Sequence, residues 1–355
     1  MPKTSSQLHY VNQWPSPKKF GDDVLLIYDR IFDRIPKVAT WVKQFSVRYA
    51  VTSGEELKSL SKFPQHMETI LQKTHSLSAR KLKIVVLGGG SVGDFGGFVA
   101  SIYKRGVELI HIPSTWLAAM DSAHGGKTAL NARGAKNQIG TFYPAKDIYL
   151  VKPLLLAQPD ERGFEALGEL IKMALLSGGT LYSKLNNAKN LNAAALWSLL
   201  PYVVKEKYKI VAKDPEEKKG LRHLLNFGHT MGHVVEAHYG LPHGVAVLAG
   251  LQFSLEWSFE KGFMSQKDYL GLMQAPFWKK AVQAKQKSVW KNLSMMALLS
   301  EKPQSFMHYL EQDKKKVSSQ KLRFIFLKSP GKPAIAEVPL AEFVPEIARQ
   351  QSFWG

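Results

Sequence analysis

The sequence of 355 residues contains no cysteine. This absence excludes disulfides, thiolate zinc sites, iron–sulfur clusters and a cysteine nucleophile. A zinc ion in this protein would therefore need histidine nitrogens and carboxylate oxygens as its ligands.

Long apolar segments are also missing. The N-terminal stretch MPKTSSQLHY has no apolar core, and no run approaches the ~18 apolar residues that a membrane helix needs. We therefore expect no signal peptide, no membrane span and a cytoplasmic location. With 45% hydrophobic and 22% charged residues, the composition is that of a globular protein, long enough for two domains or one large domain.

Acidic residues are few: 29 Asp and Glu stand against 48 Lys and Arg, which gives a net charge of +19. Composition alone would fit a nucleic-acid-binding protein. The lysines are scattered, however, apart from short runs such as Lys218–Lys219 and Lys314–Lys316, and no zinc-finger, homeodomain or RNA-recognition signature is present. A basic surface that attracts a small anionic substrate fits at least as well, so nucleic acid is not the expected partner.

The first 152 residues alternate short, continuous apolar runs with helical patterns. Such runs are typical of parallel strands covered on both faces, so we predict an α/β, Rossmann-like N-terminal domain. The predicted strands are 24–28, 48–52, 83–87, 107–112 and 147–151. In residues 153–355 apolar residues recur mostly at helical spacing, which predicts a mostly α-helical C-terminal domain. One late run at 322–327 reads as a strand, with 335–338 as its pairing partner.

A glycine-rich segment, 88–97, follows the predicted strand 83–87. Gly88, Gly90 and Gly93 satisfy GxGxxG, in which glycines permit a tight turn and aim a helix N-terminus at a diphosphate. The pattern alone is weak, because a glycine turn also serves to pack a helix on a sheet, and here it follows the third predicted strand rather than the first.

The segment Gly125–Gly126–Lys127–Thr128 is similar to the end of a phosphate-binding P-loop. The leading glycine is missing, and no strand is predicted directly before the segment. These differences exclude a P-loop nucleotide triphosphatase. A lysine beside glycine-exposed N–H groups still suits a phosphate.

His229, His233 and His243 lie in the segment 222–244. His229 and His233 are four residues apart and share one face of a predicted helix, and His243 follows ten residues later. Two histidines at this spacing suit a divalent metal, although the glutamate that a HExxH metalloprotease carries between them is missing. The segment therefore predicts a metal or anion site, with a helix that exposes its histidines to water as the alternative.

Eight blocks, in one order along the chain, resemble the 3-dehydroquinate synthases of the sugar-phosphate cyclase family. The blocks are GGGSVGDFGGFVAS, YKRG, IPSTWLAAMDSAHGGKT, GAKNQIGTFY, GELIK, RHLLNFGHTMGH, PHG and DKK. The similarity extends from about Asp29 to Arg323. It implies an N-terminal NAD-binding domain, a helical C-terminal domain that binds metal and substrate, and a homodimer.

The resemblance implies conversion of 3-deoxy-D-arabino-heptulosonate 7-phosphate (DAHP) into 3-dehydroquinate and phosphate, in the shikimate pathway of aromatic amino acid biosynthesis. In this chemistry NAD oxidises a substrate alcohol, phosphate is eliminated, NADH reduces the ketone, and an intramolecular aldol reaction closes the ring. The reaction needs a Lewis acid at the alcohol oxygens and cations that hold a carboxylate and a phosphate. The expected enzyme is an NAD- and zinc-dependent carbon–oxygen lyase, with cobalt as an alternative metal.

The resemblance also assigns the site residues. The metal ligands are Glu169, His229 and His243. The residues expected around the substrate and its phosphate are Asp121, Lys127, Asn137, Lys172, Lys207, Arg222, Asn226, His233, Lys314 and, from the second subunit of a dimer, Arg105. The residues expected to bind NAD are Asp29, Glu55, Lys58, Gly90, Gly93, Asp94, Ser114 and Thr115.

Some of these assignments have simpler alternatives. Glu169 and Lys172 also have the spacing of a helix-surface ion pair. Lys207 is one of four lysines within nine residues, a pattern typical of a solvated face. Lys315 is an alternative to Lys314 as the lysine near the phosphate.

Some positions depart from the family pattern. Val245 stands where a glutamate usually follows the last histidine ligand, which removes a carboxylate near the metal. Gly168 replaces an alanine before Glu169, and Ala157 replaces a threonine expected near the cofactor. Because the core ligands are present, we expect an active enzyme whose zinc affinity or rate differs from that of a typical member.

Three other functions are alternatives to this one. Sister cyclases act on sedoheptulose or glucose phosphates, which lack the carboxylate that Lys207, Arg222 and Asn226 are expected to hold. A glycerol-dehydrogenase-like oxidoreductase shares the general fold but would give net NADH. A non-catalytic descendant would bind an anionic partner through its basic surface, and it would have little reason to retain three metal ligands.

Overall fold

The structure is a computed structural model, and it describes residues 6–78, 80–218, 220–286, 302–311, 316–318 and 320–354. Lys314 and its alternative Lys315 lie outside the described residues. The chain divides into two compact units, Met1–Gln158 and Pro159–Gly355. Within the described ranges, none of the helices combines the length and hydrophobicity of a membrane span.

The first unit is built on a parallel sheet. The strands of this unit are β1 (Gln7–Val11), β2 (Val24–Asp29), β3 (Val47–Val51), β4 (Lys83–Gly88), β5 (Glu108–Pro113), β6 (Lys127–Ala132), β7 (Ala135–Phe142) and β8 (Asp147–Val151). Six of those described form the sheet, in the order β1–β8–β5–β4–β2–β3, and every neighbouring pair is parallel. This sheet confirms the predicted α/β architecture.

Both faces of the sheet are covered, which explains the continuous apolar runs. The helices of this unit are α1 (Pro36–Val42), α2 (Phe63–Thr74), α3 (Gly90–Ile102) and α4 (Lys152–Leu156). Val85 and Leu87 of β4 point to one face, into a core that includes Trp41 of α1. Val86 points to the other face, where α3 packs so closely that a Cβ at Gly96 would lie 2.5 Å from Val86.

Two features of the first unit were not predicted. Strand β1 pairs with β8, from Gln7 opposite Asp147 to Val11 opposite Val151, and forms an edge of the sheet. Strands β6 and β7 form an antiparallel hairpin in a segment where the sequence pattern predicts no strand. The hairpin turns at Arg133 and Gly134, whose φ angles of 51° and 74° fit the tight turn of a two-residue loop.

The second unit is mostly helical, as predicted. Its helices are α5 (Asp160–Glu165), α6 (Leu167–Ser177), α7 (Gly179–Asn187), α8 (Ala193–Lys213), α9 (His229–Tyr239), α10 (His243–Glu260), α11 (Gln266–Met273), α12 (Pro276–Gln286), α13 (Met307–Glu311) and α14 (Phe343–Trp354). The segment 155–176, whose apolar residues recur at helical spacing, is divided among α4, α5 and α6, because Pro159 interrupts it before α5.

A small antiparallel sheet completes the second unit. It contains β9 (Lys316–Ser318), β10 (Lys321–Ser329) and β11 (Lys332–Pro339). Leu322 lies opposite Val338, and Ile325 opposite Ile335, so the predicted pairing of these two segments is confirmed. Trp257 of α10 packs against Phe324 of this sheet, with ring centroids 4.9 Å apart, in the main core of the unit.

Candidate active site

Several residues of the first unit that the sequence predicts to bind the cofactor lie where its central strands end. Strand β4 ends at Gly88 and α3 begins at Gly90, which is the strand–turn–helix order that GxGxxG predicts. A Cβ at Gly88 would lie 2.5 Å from the Cβ of Val92, and one at Gly89 would lie 3.2 Å from Thr115 Cγ2. The turn therefore leaves little room for side chains and exposes a helix N-terminus.

The neighbouring strand ends bring other predicted cofactor residues to the same edge of the sheet. Ser114 directly follows β5, and its N–H donates to the Gly88 carbonyl at 2.9 Å. Asp29 ends β2, where its carboxylate accepts from the Ile31 N–H at 3.1 Å. Because β5, β4 and β2 are consecutive in the sheet, these residues follow one carboxyl edge, where α/β folds bind nucleotides.

A buried lysine links three of the predicted site residues. Lys58, whose side chain is 3% exposed, donates to Asp94 Oδ2 at 2.7 Å and to Asn137 Oδ1 at 2.5 Å. Burial raises the pKa of the Asp94 carboxyl, and the charge of Lys58 opposes that rise. Glu55 Oε2 lies 3.8 Å from Lys58 Nζ. Asn137, expected at the substrate, thus shares its partner with residues expected at NAD.

Three further predicted residues of the first unit lie on separate elements. Arg105 is exposed, with a left-handed φ of 69°, in the turn after α3. Lys127 is exposed at the start of β6. Asp121 lies in the helical turn Ala118–Ser122, near enough to Asp94 that its charge contributes to the raised pKa of that carboxyl.

The second unit brings the three predicted metal ligands together. Glu169 is on α6, His229 begins α9 and His243 begins α10. Glu169 Oε1 lies 3.4 Å from His229 Nε2 and 3.7 Å from His243 Nε2. One donor atom from each residue lies within 4.8 Å of the others, which is the spacing that a shared metal ion needs.

Glycines allow the three helices to approach one another this closely. A Cβ at Gly168 would lie 2.1 Å from the Gly244 carbonyl oxygen, which joins α6 to α10. A Cβ at Gly250 would lie 1.8 Å from the Gly228 carbonyl oxygen, just before α9. Backbone atoms are in direct contact at these points, so the ligand at Glu169 depends on the glycine beside it. In this chain, Gly168 is therefore a steric requirement.

The Glu169 carboxylate is 1% exposed. Its two oxygens accept no well-directed hydrogen bond from the described residues, although the Lys172 ammonium is in ion-pair contact with Oε2. Both side chains are buried, so the alternative of a helix-surface ion pair is wrong. A buried carboxylate that faces two imidazoles in this way is suited to bind a cation.

The charges near His243 also favour a positive charge at this site. Burial alone would lower the pKa of this imidazole, but the Glu169 and Glu236 carboxylates outweigh burial and raise the pKa to about 9. A positive charge is therefore stabilised here, either as a proton or as a metal ion. Two histidine nitrogens and one carboxylate oxygen match the donor set of a zinc site, and the residues fit a divalent ion.

The predicted carboxylate-binding residues lie on neighbouring elements of this unit. Lys207 of α8 is 5% exposed, so the alternative of a solvated face is wrong. Arg222, 4% exposed, and Asn226 belong to the turn Leu221–Asn226 that precedes α9. His233 is exposed on α9, with its ring centroid 5.3 Å from that of His229 and 5.8 Å from that of His243.

Two carboxylates near the site were not assigned from the sequence. Asp214 is buried and accepts the Arg222 N–H at 3.3 Å, while the Pro215 carbonyl accepts from the Arg222 guanidinium at 2.7 Å. Glu236 Oε2 lies 2.8 Å from His243 Nδ1. A signal for Glu236 was present, because seven residues after His229 is two helical turns on the same face.

Comparison with known proteins gives matches over most of the chain. Residues 48–165 match the family model for the 3-dehydroquinate synthase N-terminal region, and residues 166–316 match that for the C-terminal region. A 3-dehydroquinate synthase from Alkaliphilus metalliredigens is 36% identical over 257 residues, which are 70% of this chain and 67% of that protein.

Solved structures of sugar-phosphate cyclases share the fold. A 2-deoxy-scyllo-inosose synthase complexed with carbaglucose-6-phosphate, NAD+ and Co2+ superposes with a TM-score of 0.78 at 24% identity and covers 96% of both chains. A 2-epi-5-epi-valiolone synthase from Streptomyces hygroscopicus, with NAD+ and Zn2+ bound, gives 0.75 at 18% identity and covers 99% of this chain and 98% of its own. From the two family matches over residues 48–316, we conclude that this chain belongs to the 3-dehydroquinate synthase family.

Proposed function

We propose that this protein is a 3-dehydroquinate synthase, which converts DAHP into 3-dehydroquinate and inorganic phosphate. The observation that carries the proposal is the group Glu169, His229 and His243, whose donor atoms converge within 4.8 Å in a chain of this family. Release of phosphate breaks a carbon–oxygen bond, so the enzyme is a carbon–oxygen lyase.

The proposed cofactors are NAD and a divalent metal, with zinc as the ion. The two cyclase structures contain NAD+ with Co2+ or Zn2+, and the donor set Glu169, His229 and His243 fits either ion. When bound, NAD accepts and returns a hydride, and the metal acts as a Lewis acid toward the substrate alcohol oxygens. We assign NAD to the domain of residues 1–152, and metal and substrate to that of residues 153–355.

Buried cations provide the proposed binding site for the DAHP carboxylate. Arg222 and Lys207 are both nearly inaccessible, and a charge-assisted hydrogen bond is stronger where water is excluded. The hydrogen bond from the Arg222 guanidinium to the Pro215 carbonyl orients this side chain before substrate arrives, and Asp214 accepts from the Arg222 backbone N–H. Asn226 and His233 add hydrogen-bond donors, and Lys172 adds a positive charge beside Glu169.

The NAD and phosphate contacts are proposals from the family pattern. For NAD they are Asp29, Glu55, Lys58, Gly90, Gly93, Asp94, Ser114 and Thr115. The strand-end positions of Asp29 and Ser114 and the start of α3 at Gly90 support this assignment. For the sugar and phosphate they are Asp121, Lys127, Asn137 and Lys314, with Arg105 supplied by the second subunit of a homodimer. A cytoplasmic location stays a prediction.

The proposal is tested by phosphate release from DAHP. Purified protein is incubated with zinc, DAHP and a catalytic amount of NAD, while phosphate and the absorbance of NADH at ~340 nm are followed together. We expect phosphate and 3-dehydroquinate in equal amounts without accumulation of NADH, because the coenzyme is reoxidised in each turnover. Accumulation of NADH would indicate a simple alcohol dehydrogenase instead.

The sister cyclases are distinguished in the same assay. Sedoheptulose 7-phosphate and glucose 6-phosphate replace DAHP as control substrates, and neither has a carboxylate for Arg222 and Lys207. We expect no turnover of either. Turnover of a control substrate but not of DAHP would overturn the proposed substrate while retaining a cyclase. Absence of all turnover, in protein shown to bind zinc and NAD, would favour a non-catalytic binding protein.

A further inference from the structure

The two histidines proposed as metal ligands differ in the partner of the second ring nitrogen. His229 Nδ1 lies 3.2 Å from the Phe227 carbonyl oxygen, a neutral acceptor fixed in the backbone. His243 Nδ1 lies 2.8 Å from Glu236 Oε2, a charged acceptor on a side chain. In both rings Nδ1 faces this acceptor and Nε2 faces the buried Glu169 carboxylate.

The position of Glu236 is set by α9, the helix that also begins with His229. Glu236 follows His229 by two helical turns, so one face of α9 presents both a metal ligand and a partner for the ligand on α10. The two helices are close at this level, because a Cβ at Gly232 would lie 3.2 Å from the Ala246 carbonyl oxygen. Val245, two residues after His243, is buried and apolar and offers no acceptor.

We propose that Glu236 is a positioning residue for the metal site: it holds the Nδ1–H of His243 and thereby presents Nε2 to the ion. This inference rests on the ligand assignment of the proposed function. Carboxylates that accept from a ligand histidine fix its tautomer and ring orientation and make it a better donor, and their loss typically weakens metal binding about 10- to 100-fold.

The geometry also contains a competing arrangement. Donor atoms of His233, Glu236 and His243 lie within 4.8 Å of one another as well, so an ion could use Glu236 directly. That arrangement would leave the Glu169 carboxylate facing two imidazoles at 1% exposure without the cation. It would also use His233 and Glu236, both more exposed than Glu169. The deeper site is therefore favoured, with Glu236 outside the set of ligands.

The test measures metal binding rather than turnover. Zinc affinity is determined by competition with a chelator for wild type, Glu236→Gln, Glu236→Ala and His243→Ala. A matched control is Glu260→Gln, at the far end of α10. We expect Glu236→Ala to weaken zinc binding about 10- to 100-fold. Glu236→Gln should weaken it less, because its carbonyl still accepts the Nδ1–H, and the control should match wild type.

A spectroscopic measurement separates positioning from ligation. With Co2+ in place of zinc, the visible spectrum reports the number and type of ligands, and we expect Glu236→Gln to keep the wild-type spectrum. A changed spectrum, together with a loss of affinity equal to that of His243→Ala, would make Glu236 a ligand and overturn the proposal. Unchanged zinc affinity in Glu236→Ala would overturn it too.

A purely structural role is tested on metal-free protein. Unfolding of the metal-free protein by denaturant should be affected less than zinc binding, because Glu236→Ala removes one hydrogen bond from the metal-free protein but the orientation of a ligand from the metal site. If the metal-free variant were destabilised by as much as its zinc affinity falls, Glu236 would be a fold residue and the proposal would fail. Zinc binding is scored without DAHP, so failure of the proposed function would appear separately, as normal zinc affinity without turnover.

Discussion

Each unit buries a cluster of charged side chains, around Lys58 in the first unit and around Glu169 in the second. The two clusters differ in whether their buried polar atoms are satisfied by hydrogen bonds. In the first unit, Lys58 satisfies Asp94 and Asn137 with short, well-directed hydrogen bonds, so the cluster is complete as it stands. In the second unit, Glu169 is buried against two imidazoles and a lysine, yet its oxygens accept no well-directed hydrogen bond from the described residues. The first cluster is preorganised without a ligand, whereas the second is arranged for a cation.

The difference follows from how each unit positions its residues. The first unit uses strand ends and the N-terminus of α3, an arrangement that suits a diphosphate, and its polar side chains bond to one another. The second uses three helices in backbone contact, so its donors converge on one point. A dissociable coenzyme suits the first arrangement, and a resident metal ion suits the second.

Removal of the buried carboxylate should have the largest effect. We expect Glu169→Ala to lose bound zinc and at least about 1,000-fold in kcat/KM for DAHP, or about 4 kcal/mol, while NAD binding stays near normal. Glu165→Gln, which affects a carboxylate paired with Arg162 at 2.8 Å, is the matched control. Zinc content and turnover are measured together. Stoichiometric zinc in the Glu169 variant would contradict the contrast between the two clusters.

The free energy of unfolding of the first unit should fall at acid pH because of His111 on β5. Burial lowers the pKa of this imidazole from 6.5 to about 4, so its contribution to stability is complete above pH 6.5 and is lost as the pH falls toward 4. The shift corresponds to about 3 kcal/mol. His111→Gln should reduce the loss of unfolding free energy between these pH values, whereas exposed His75→Gln should not. Equal pH profiles for wild type and His111→Gln would refute this.

Loss of the buried guanidinium should have a smaller effect, limited to the substrate. We expect Arg222→Ala to raise KM for DAHP roughly 30-fold, about 2 kcal/mol, with little change in NAD affinity, because a charge-assisted hydrogen bond to the carboxylate is lost. Arg222→Lys should recover part of this, and Arg162→Ala on α5 is an exposed control. An unchanged KM for DAHP would remove Arg222 from the substrate site.

The smallest of these effects is expected at Lys58. Lys58→Met keeps the length of the side chain but leaves Asp94 and Asn137 without the ammonium, and we expect about 10-fold weaker NAD binding, roughly 1.4 kcal/mol, at unchanged zinc content. Lys62→Met removes an exposed lysine that pairs with Glu56 at 2.7 Å and serves as the control. A fall in zinc content in the Lys58 variant would contradict the conclusion that the two clusters act independently.

Local patterns predicted most of the fold. The run KIVVL followed by glycines became β4 and the start of α3, since a buried strand and a glycine turn are both encoded within a few residues. The pairing of segment 322–327 with segment 335–338 was predicted because the two strands are close in sequence, and in the structure Leu322 lies opposite Val338. Strand β1 was missed because its partner β8 lies about 140 residues away and its sequence, QLHYV, has no continuous apolar run.

For the candidate site, local patterns indicated that a site exists but not the role or burial of each residue. The i, i+4 spacing of His229 and His233 indicated a metal or anion site, but spacing alone did not distinguish a ligand from its neighbour; the family pattern supplied that. Nor does a charge pattern reveal burial: Lys207 lies in a lysine-rich segment and is nevertheless inaccessible. The hydrogen bond of Glu236 to His243 depends on how α9 and α10 pack, which no local pattern encodes.

The glycine contacts at Gly168 and Gly250 have a kinetic consequence. The helices that carry Glu169, His229 and His243 meet through backbone atoms, so the backbones of the three residues cannot shift apart independently. A bound ion would therefore be released by rotation of a donor side chain or by separation of the helices, and both are motions of the protein. We expect the rate at which a chelator removes the metal to reach a plateau as the chelator concentration rises. At the plateau, the motion of the protein limits the rate of metal release.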